Sequence, residues 1–131
     1  IMYDFKDLSK QDLKQVYKIG LLSNDKHLIK RLYQRLKDGS AYIVKHDDVT
    51  YVIQINHAKQ KLFIWLVWSN TKNTVSILSK YYDEVKHLAE IANLKGVIFC
   101  SARKSFLKVA PKYNFKLIEK KGSEFWFEME Y

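Results

Sequence analysis

The chain has 131 residues, of which 47% are hydrophobic and 15% aromatic, with one proline and four glycines. This composition excludes a disordered or low-complexity chain, and the length predicts a single folded domain over residues 1–131. The formal net charge of +9 favours an anionic partner, such as a phosphorylated cofactor, nucleic acid or an acidic protein.

The first predicted elements are two helices. Ser9 followed by Asp12 is typical of a helix start, because the serine oxygen accepts from a backbone N–H and the acid suits the positive end of the helix. The apolar stripe of this helix ends near Gly20. A second helix is predicted from just after Asn24 to about Lys37, with the left-handed conformation that ends it supplied by Gly39.

Three strands follow in the prediction. Residues 42–45 and 49–55 are β-branched or aromatic and flank a short polar turn at 47–48, which predicts a β-hairpin. After another turn, residues 61–68 form a strand with almost no polar alternation, so this strand is expected to be buried on both faces.

The second half of the chain alternates helices with strands. In order, the predicted elements are a helix at 74–93, a strand at 97–100, a helix at 103–112 that contains or ends at Pro111, and strands at 115–119 and 124–129. Hairpins imply antiparallel pairs and the intervening helices imply parallel crossovers. The predicted fold is therefore α/β, with a central mixed sheet of about six to seven strands and about four flanking helices.

Three local features match a known arrangement. The buried strand Leu62–Val67 runs directly into the main helix, the strand at 97–100 leads to a lysine-rich helix, and Tyr113-Asn114-Phe115 follows that helix. In this order the chain resembles the GNAT family of acyl-CoA-dependent N-acyltransferases, which usually has Gly-Phe at the last of these positions. The resemblance covers nearly the whole chain, and it is one of architecture more than of motif. Small phage-encoded GNAT-like proteins show a similarly reduced pattern, so we expect a phage or mobile-element origin.

The resemblance implies an acetyl-CoA site where the buried strand meets the main helix. In the family, a glycine-rich loop there presents backbone N–H groups to the cofactor's pyrophosphate. The corresponding stretch of this chain has no glycine, although Lys72 would replace the family's basic residue; alternatively, Asn73 or Thr74 only caps the helix. The residues that we assign to the cofactor are Val67, Trp68, Ser69, Lys72, Asn73, Thr74, Val75, Ser76 and Arg103.

No catalytic residue transfers from the resemblance. The family's frequent general acid, a tyrosine five residues before the phenylalanine of Gly-Phe, falls on Ala110, and Tyr113 would point in another direction on a helix. The buried strand has no glutamate to act as a base, and His57 on the preceding turn is expected at the surface. The catalytic residues are therefore unknown from the sequence.

The single cysteine and the three tryptophans are interpreted mainly as structural residues. Cys100 is close to Arg103, whose charge would lower a thiol pKa, but a small core residue is the favoured interpretation. Trp65 and Trp126 are expected in the core, whereas Trp68 is expected to be partly exposed beside the junction. With one cysteine and four scattered histidines, no metal site is predicted.

Two functions remain open. The first is an acyl-CoA-dependent N-acyltransferase that places a substrate amine in line with a bound thioester. The second is a catalytically inactive, phage-related GNAT-fold module with a binding or structural role, whose partner is an acidic protein or nucleic acid contacted nonspecifically.

Arginine is rare in the chain, at three of 23 basic residues, so base-specific recognition is not favoured, and the lysine excess can equally reflect codon bias. No apolar run approaches the roughly 20 residues of a membrane span. We therefore expect no membrane partner and a cytoplasmic location, in the host cytoplasm or the virion if a phage encodes the protein.

Overall fold

Six strands form one mixed sheet with helices on both faces. The structure is a computed structural model that describes residues 3–71 and 74–131, with Thr74 and Val75 described by their backbone. In chain order the elements are a short 3-10 helix (Phe5–Asp7), α1 (Lys10–Leu22), α2 (Leu28–Lys37), β1 (Tyr42–His46), β2 (Val49–Asn56), β3 (Lys61–Ser69), α3 (Thr74–Ile91), β4 (Gly96–Ser101), α4 (Phe106–Val109), a second 3-10 helix (Ala110–Tyr113), β5 (Lys116–Lys121) and β6 (Glu124–Glu130). This succession of helices and strands confirms the predicted order.

The start of α1 follows the sequence signal. The hydroxyl oxygen of Ser9 accepts from the backbone N–H of Asp12 at 3.0 Å, and the Asp12 carboxylate accepts from the Ser9 N–H at 2.9 Å. The helix continues two residues past Gly20, and α2 begins later than predicted, at Leu28. A Cβ at Gly20 would lie 2.7 Å from the carbonyl oxygen of Asp25, so the glycine allows a close approach where the chain turns between the helices.

The strand order across the sheet is β1-β2-β3-β4-β6-β5. β3 and β4 are parallel, and the other neighbouring pairs are antiparallel. β3 thus lies inside the sheet, with one antiparallel and one parallel neighbour, which confirms its prediction as a buried inner strand. It belongs there because its side chains are apolar on both faces.

Two hydrophobic cores cover the two faces of the sheet. One lies beneath α3 and contains Ile77, Tyr81 and Phe127. The other lies beneath α1 and α2 and contains Val16 and Leu32. Each helix buries its apolar stripe against one face, so both faces of β3 are covered.

β3 contains a β-bulge at Trp65. Val52 of β2 pairs with Leu66, but the next residue, Ile53, pairs with Ile64, so Trp65 has no direct partner on β2. The extra residue shifts the alternation of the strand by one. Side chains at even positions therefore face the α3 core before the bulge and face the α1–α2 core after it.

The last helix is shorter than predicted. α4 spans four residues, Phe106–Val109, and continues as the 3-10 helix Ala110–Tyr113. Pro111 lacks the backbone N–H that a longer α-helix would need. Asn114 ends this segment in the left-handed conformation, with φ of 66°, at the position where the family usually has glycine.

A buried lysine joins the start of β3 to the end of β6. The Lys61 side chain is 4% exposed, and its Nζ lies 2.7 Å from Oε1 of Glu128 and 2.8 Å from Oε1 of Glu130. Burial alone would lower the pKa of Lys61, but hydrogen bonds to the two carboxylates outweigh burial and raise it. The bond from Lys61 in turn holds the pKa of Glu128 below its ordinary value, so the cluster is charged at neutral pH.

Replacing Glu128 with glutamine should destabilise the fold by about 2 kcal/mol, because it removes one charged partner of a buried lysine. The matched control is Glu119→Gln, which removes an exposed pair with Lys121 at 3.5 Å and should cost less than about 0.5 kcal/mol. Urea unfolding of both variants at pH 7 measures the difference.

The contribution of Glu128 to the stability of the fold depends on pH in a known direction. Because the pKa of Glu128 is lowered in the folded state, its contribution is complete above the ordinary carboxyl pKa and is lost as the pH falls through the folded value. The stability gap between wild type and Glu128→Gln should therefore narrow in acid. A Glu128 variant as stable as the Glu119 variant at pH 7 would contradict this account.

Candidate functional site

The parallel strands β3 and β4 separate part-way along their length. Their pairing ends at Ile64 and Phe99, one residue before the Trp65 bulge, whereas β3 continues to Ser69 and β4 to Ser101. Within the described residues no strand fills the space between these diverging ends. The separation opens a cleft of about 400 Å³.

The cleft is lined by both strands and by helices from both faces of the sheet. Its α3 side is apolar and includes Val67, Ile77, Tyr81, Val85, Phe99 and Phe106. Its other side includes charged residues of α2 and of the connection between α1 and α2. A ligand in the cleft would thus pass from an apolar wall to a charged one.

All three arginines of the chain line this cleft. Arg31 bonds to Asp25, the guanidinium of Arg35 lies 4.4 Å from the centre of the Trp65 ring, and Arg103 follows the end of β4. Lysines make up the rest of the 23 basic residues, and only one described lysine lines the cleft. The basic charge of the cleft is therefore mostly guanidinium, whose planar donor fork suits phosphate and carboxylate groups.

Asp12 holds the end of β3 against α1. Its Oδ1 accepts from Nε1 of Trp68 at 2.9 Å and from Nδ2 of Asn70 at 3.5 Å. Its other oxygen, Oδ2, accepts from the backbone N–H of Ser9. Burial alone would raise the pKa of Asp12, but these hydrogen bonds, led by the one from Trp68, outweigh burial and lower it. Asp12 is therefore a buried carboxylate that is charged at neutral pH.

Asp48, in the turn between β1 and β2, holds the same junction from the other side. Its carboxylate accepts from the hydroxyls of Ser69 at 3.1 Å, Thr71, and Tyr81 at 3.3 Å. The polar side chains at the end of β3 thus bind a carboxylate close to the start of α3.

The comparisons with known proteins agree with this architecture. No protein-family model matches the sequence, and no curated protein matches it. Among solved structures, an IAA acetyltransferase from Bacillus cereus superposes with a TM-score of 0.66 at 11% identity, covering 100% of this chain and 97% of that chain. A GNAT family acetyltransferase from Elizabethkingia anophelis with acetyl-CoA bound gives 0.60 at 14% identity, covering 86% and 88%. The PaiA N-acetyltransferase from Thermoplasma acidophilum in complex with coenzyme A gives 0.55 at 13% identity, covering 96% and 82%.

The chain has the GNAT fold. This confirms the fold that the sequence predicted, over nearly the whole length of the chain. At these identities the likeness is one of fold, so the chemistry of the site has to come from the residues of this chain.

The described residues predicted to bind the cofactor occupy four different places on the GNAT fold. Val67 and Arg103 line the cleft. Ser69 is bonded to the carboxylate of the β1–β2 turn, and Ser76 is exposed on the first turn of α3. The prediction that Trp68 is partly exposed is wrong: it is 2% exposed, because the bulge turns it toward α1.

The other four predicted cofactor residues are not part of the described site. Lys72 and Asn73 lie outside the described residues, as do the side chains of Thr74 and Val75. Their assignment stays a prediction.

Sequence reasoning missed several polar residues of the cleft. Arg31 and Arg35 come from α2, Tyr51 from β2 and Trp126 from β6. The rarity of arginine in a lysine-rich chain was a usable signal for the first two. No local pattern marks the other two, because only the pairing of distant strands brings them to the cleft.

Ala110 and Tyr113, the two positions considered for the family's general acid, both pack against other residues. Ala110 is fully buried at the position of the family's tyrosine, and Tyr113 packs on Tyr82 with ring centres 5.2 Å apart. His57 is exposed, as predicted. Burial, together with the nearby Glu124 carboxylate, raises the pKa of the Cys100 thiol, which opposes a role as a nucleophile.

The described part of the chain contains neither a cluster of metal-binding side chains nor a helix that could span a membrane. No group of three or more histidine, cysteine, aspartate or glutamate side chains there is arranged to hold a metal ion. None of the helices there combines the length and apolar character that crossing a bilayer requires.

Replacing Asp12 with asparagine should destabilise the protein by about 1 to 2 kcal/mol, because it weakens charge-assisted bonds to a buried indole and a helix cap. Asp7→Asn is the matched control: Asp7 accepts from the backbone N–H of Asp4 at 2.7 Å in a similar box, but this bond is exposed. Urea unfolding should show a clearly smaller loss for the control. Because the pKa of Asp12 is lowered by folding, the loss should shrink as the pH falls, and a loss that grows in acid would be inconsistent with this role.

Proposed function

We propose that the protein binds an acyl-CoA in the cleft between β3 and β4 and transfers the acyl group to an amine. The observation that carries this proposal is the separation of the two central parallel strands after Ile64 and Phe99. It creates a cleft in the interior of an otherwise continuous sheet, where a site built on rigid strands can orient two reactants.

The open edge of β3 suits an extended ligand that contains amides. Beyond Ile64, the backbone N–H and C=O groups of β3 that face β4 pair with no strand in the described part of the chain. An arm such as pantetheine can add to such an edge in the way that a peptide adds to a sheet, since backbone groups need hydrogen-bond partners. The apolar wall beneath α3 would exclude water from the arm.

Charge and helix placement favour a phosphorylated ligand. The three arginines line the cleft, and the N-terminal end of α3 lies directly after β3, where its partial positive charge favours anions. The PaiA N-acetyltransferase from Thermoplasma acidophilum and the GNAT family acetyltransferase from Elizabethkingia anophelis, which share this fold, hold coenzyme A and acetyl-CoA. These properties support CoA as the carrier of the acyl group.

The proposed reaction is direct transfer. The nitrogen of a neutral amine attacks the thioester carbonyl and a C–N bond forms. The C–S bond then breaks, and coenzyme A leaves as a thiolate that takes up the proton lost by the nitrogen. The chain would contribute mainly by holding the two reactants in line and by directing backbone N–H donors of β3 at the carbonyl oxygen. This mode of catalysis is compatible with an alanine at position 110.

A second candidate is a catalytically inactive GNAT-fold binding module. Two observations favour it: Ala110 replaces the family's tyrosine, and the hydroxyls at the end of β3 bind Asp48. In this case the cleft would bind a ligand or partner without turnover. The cytoplasmic location, the phage or mobile-element origin and a nucleic-acid or acidic-protein partner stay predictions from the sequence.

Calorimetry and a thiol-release assay separate the two candidates. A transferase binds acetyl-CoA and coenzyme A with micromolar affinity and releases free thiol when an acceptor amine is added. A module that binds CoA without turnover shows the heat of binding and no thiol above the uncatalysed rate. Absence of binding to both compounds would overturn the proposed use of the cleft.

A large side chain at the mouth of the cleft should weaken the binding of acetyl-CoA. Ala102 lines the cleft after β4, so Ala102→Trp should weaken acetyl-CoA binding at least about tenfold by steric exclusion. Ala58, an exposed residue of the β2–β3 turn that does not line the cleft, provides the control Ala58→Trp. Calorimetry on both variants, with melting temperatures to confirm folding, checks this; equal affinities would place the ligand elsewhere.

The sequence-based assignment of Lys72 has its own test. Lys72→Glu should weaken binding of acetyl-CoA, because it places a negative charge where the pyrophosphate is expected. Lys112→Glu changes the net charge equally at an exposed position that does not line the cleft. If both variants lose the same affinity, the effect is one of net charge and the assignment of Lys72 is wrong.

A further inference from the structure

Two buried polar atoms, on residues that line the cleft, have no hydrogen-bond partner within the described residues. They are the hydroxyl oxygen of Tyr51 and the indole Nε1 of Trp126. Buried polar groups in folded proteins are nearly always hydrogen-bonded, and an unpaired one costs stability. Two such groups at one cleft therefore call for a common explanation.

The two atoms belong to opposite faces of the sheet. Tyr51 is part of the core beneath α3. Trp126 lies between Phe125 and Phe127, which belong to that same core, so strand alternation turns Trp126 to the other face. There it stacks on Phe63 with ring centres 5.2 Å apart. A ligand that passes through the strand separation would meet one unpaired donor on each face.

The fold does supply partners to similar side chains nearby. Tyr81, which also lines the cleft and is 4% exposed, donates its hydroxyl proton to Asp48 at 3.3 Å. Trp68 donates its N–H to Asp12 at 2.9 Å. Tyr51, which is 2% exposed, is thus as buried as Tyr81 but has no partner. The half-buried Trp126 likewise lacks the partner that Trp68 has.

We propose that the Tyr51 hydroxyl and the Trp126 indole N–H are ligand-binding donors, each donating to a carbonyl oxygen of an acyl-pantetheine arm that passes through the strand separation. This inference rests on the proposed function. It adds two side chains to a site that the fold alone would assign to backbone groups, and it ties β2 and β6 to the ligand.

The chemistry of the two groups favours a ligand that accepts hydrogen bonds. The indole N–H can only donate. Burial, with the nearby Tyr81 and Glu84 adding to its effect, raises the pKa of the Tyr51 hydroxyl, which therefore keeps its proton at neutral pH. An acyl-pantetheine arm carries two amide carbonyls and one thioester carbonyl, and each is a neutral acceptor that suits a largely apolar wall.

The test compares two tyrosines of the same cleft, Tyr51→Phe and Tyr81→Phe. Without ligand, Tyr51→Phe should melt at the same temperature as wild type or a few degrees higher, since it removes an unpaired hydroxyl, whereas Tyr81→Phe should melt lower. Tyr51→Phe should also bind acetyl-CoA about threefold to tenfold more weakly in calorimetry. A fall in melting temperature equal to that of Tyr81→Phe, or an unchanged affinity, would overturn the role of Tyr51.

Trp126→Phe tests the second donor, because it keeps a ring against Phe63 and removes the N–H. The variant should bind acetyl-CoA about threefold to tenfold more weakly, and wild-type affinity would overturn the role of Trp126. Wild-type protein is titrated beside the variants. If wild type binds acetyl-CoA and the variants bind it equally, this inference alone fails; if wild type does not bind, the proposed function fails and the inference fails with it.

Discussion

The β-bulge at Trp65 is the local constraint on which the rest of the structure depends. One extra residue in β3 leaves Trp65 without a partner on β2, and the pairing of β3 with β4 ends at the residue before it. A bulge bends and twists its strand, so the two central strands diverge where a regular strand would continue the ladder. The same shift turns Trp68 from the α3 face to the α1 face, where Asp12 accepts its N–H. The cleft and the junction beside it thus have one origin.

Charged groups fix the two ends of this divergence. At the closed end, Lys61 binds Glu128 and Glu130 and ties β3 to β6. At the open end, Asp12 and Asp48 bind the last residues of β3 from opposite sides. Because these bonds form within the protein, the cleft is present before a ligand arrives, which reduces the ordering cost of binding.

The sequence predicts the order of elements, the start of α1 and the inner position of β3, because each depends on local spacing. It does not predict the bulge. Every residue from Phe63 to Trp68 is apolar, so a shift of one position leaves the pattern unchanged. The prediction that Trp68 is partly exposed came from its place at the end of the strand, and the structure instead buries it with its N–H bonded to Asp12. Of the residues that line the cleft, the sequence singles out Val67 and Arg103 as candidate site residues. Tyr51 and Trp126 reach the cleft only through pairing between residues far apart in the sequence.

Backbone amide exchange in the presence of acetyl-CoA tests the central claim, that a ligand binds the open edge of β3. The account predicts that acetyl-CoA slows exchange for those amides of residues 65–69 and 100–101 that face the space between β3 and β4, while β1 at the edge of the sheet exchanges at its original rate. Slowed exchange confined to other elements, or no change at saturating acetyl-CoA, would contradict it.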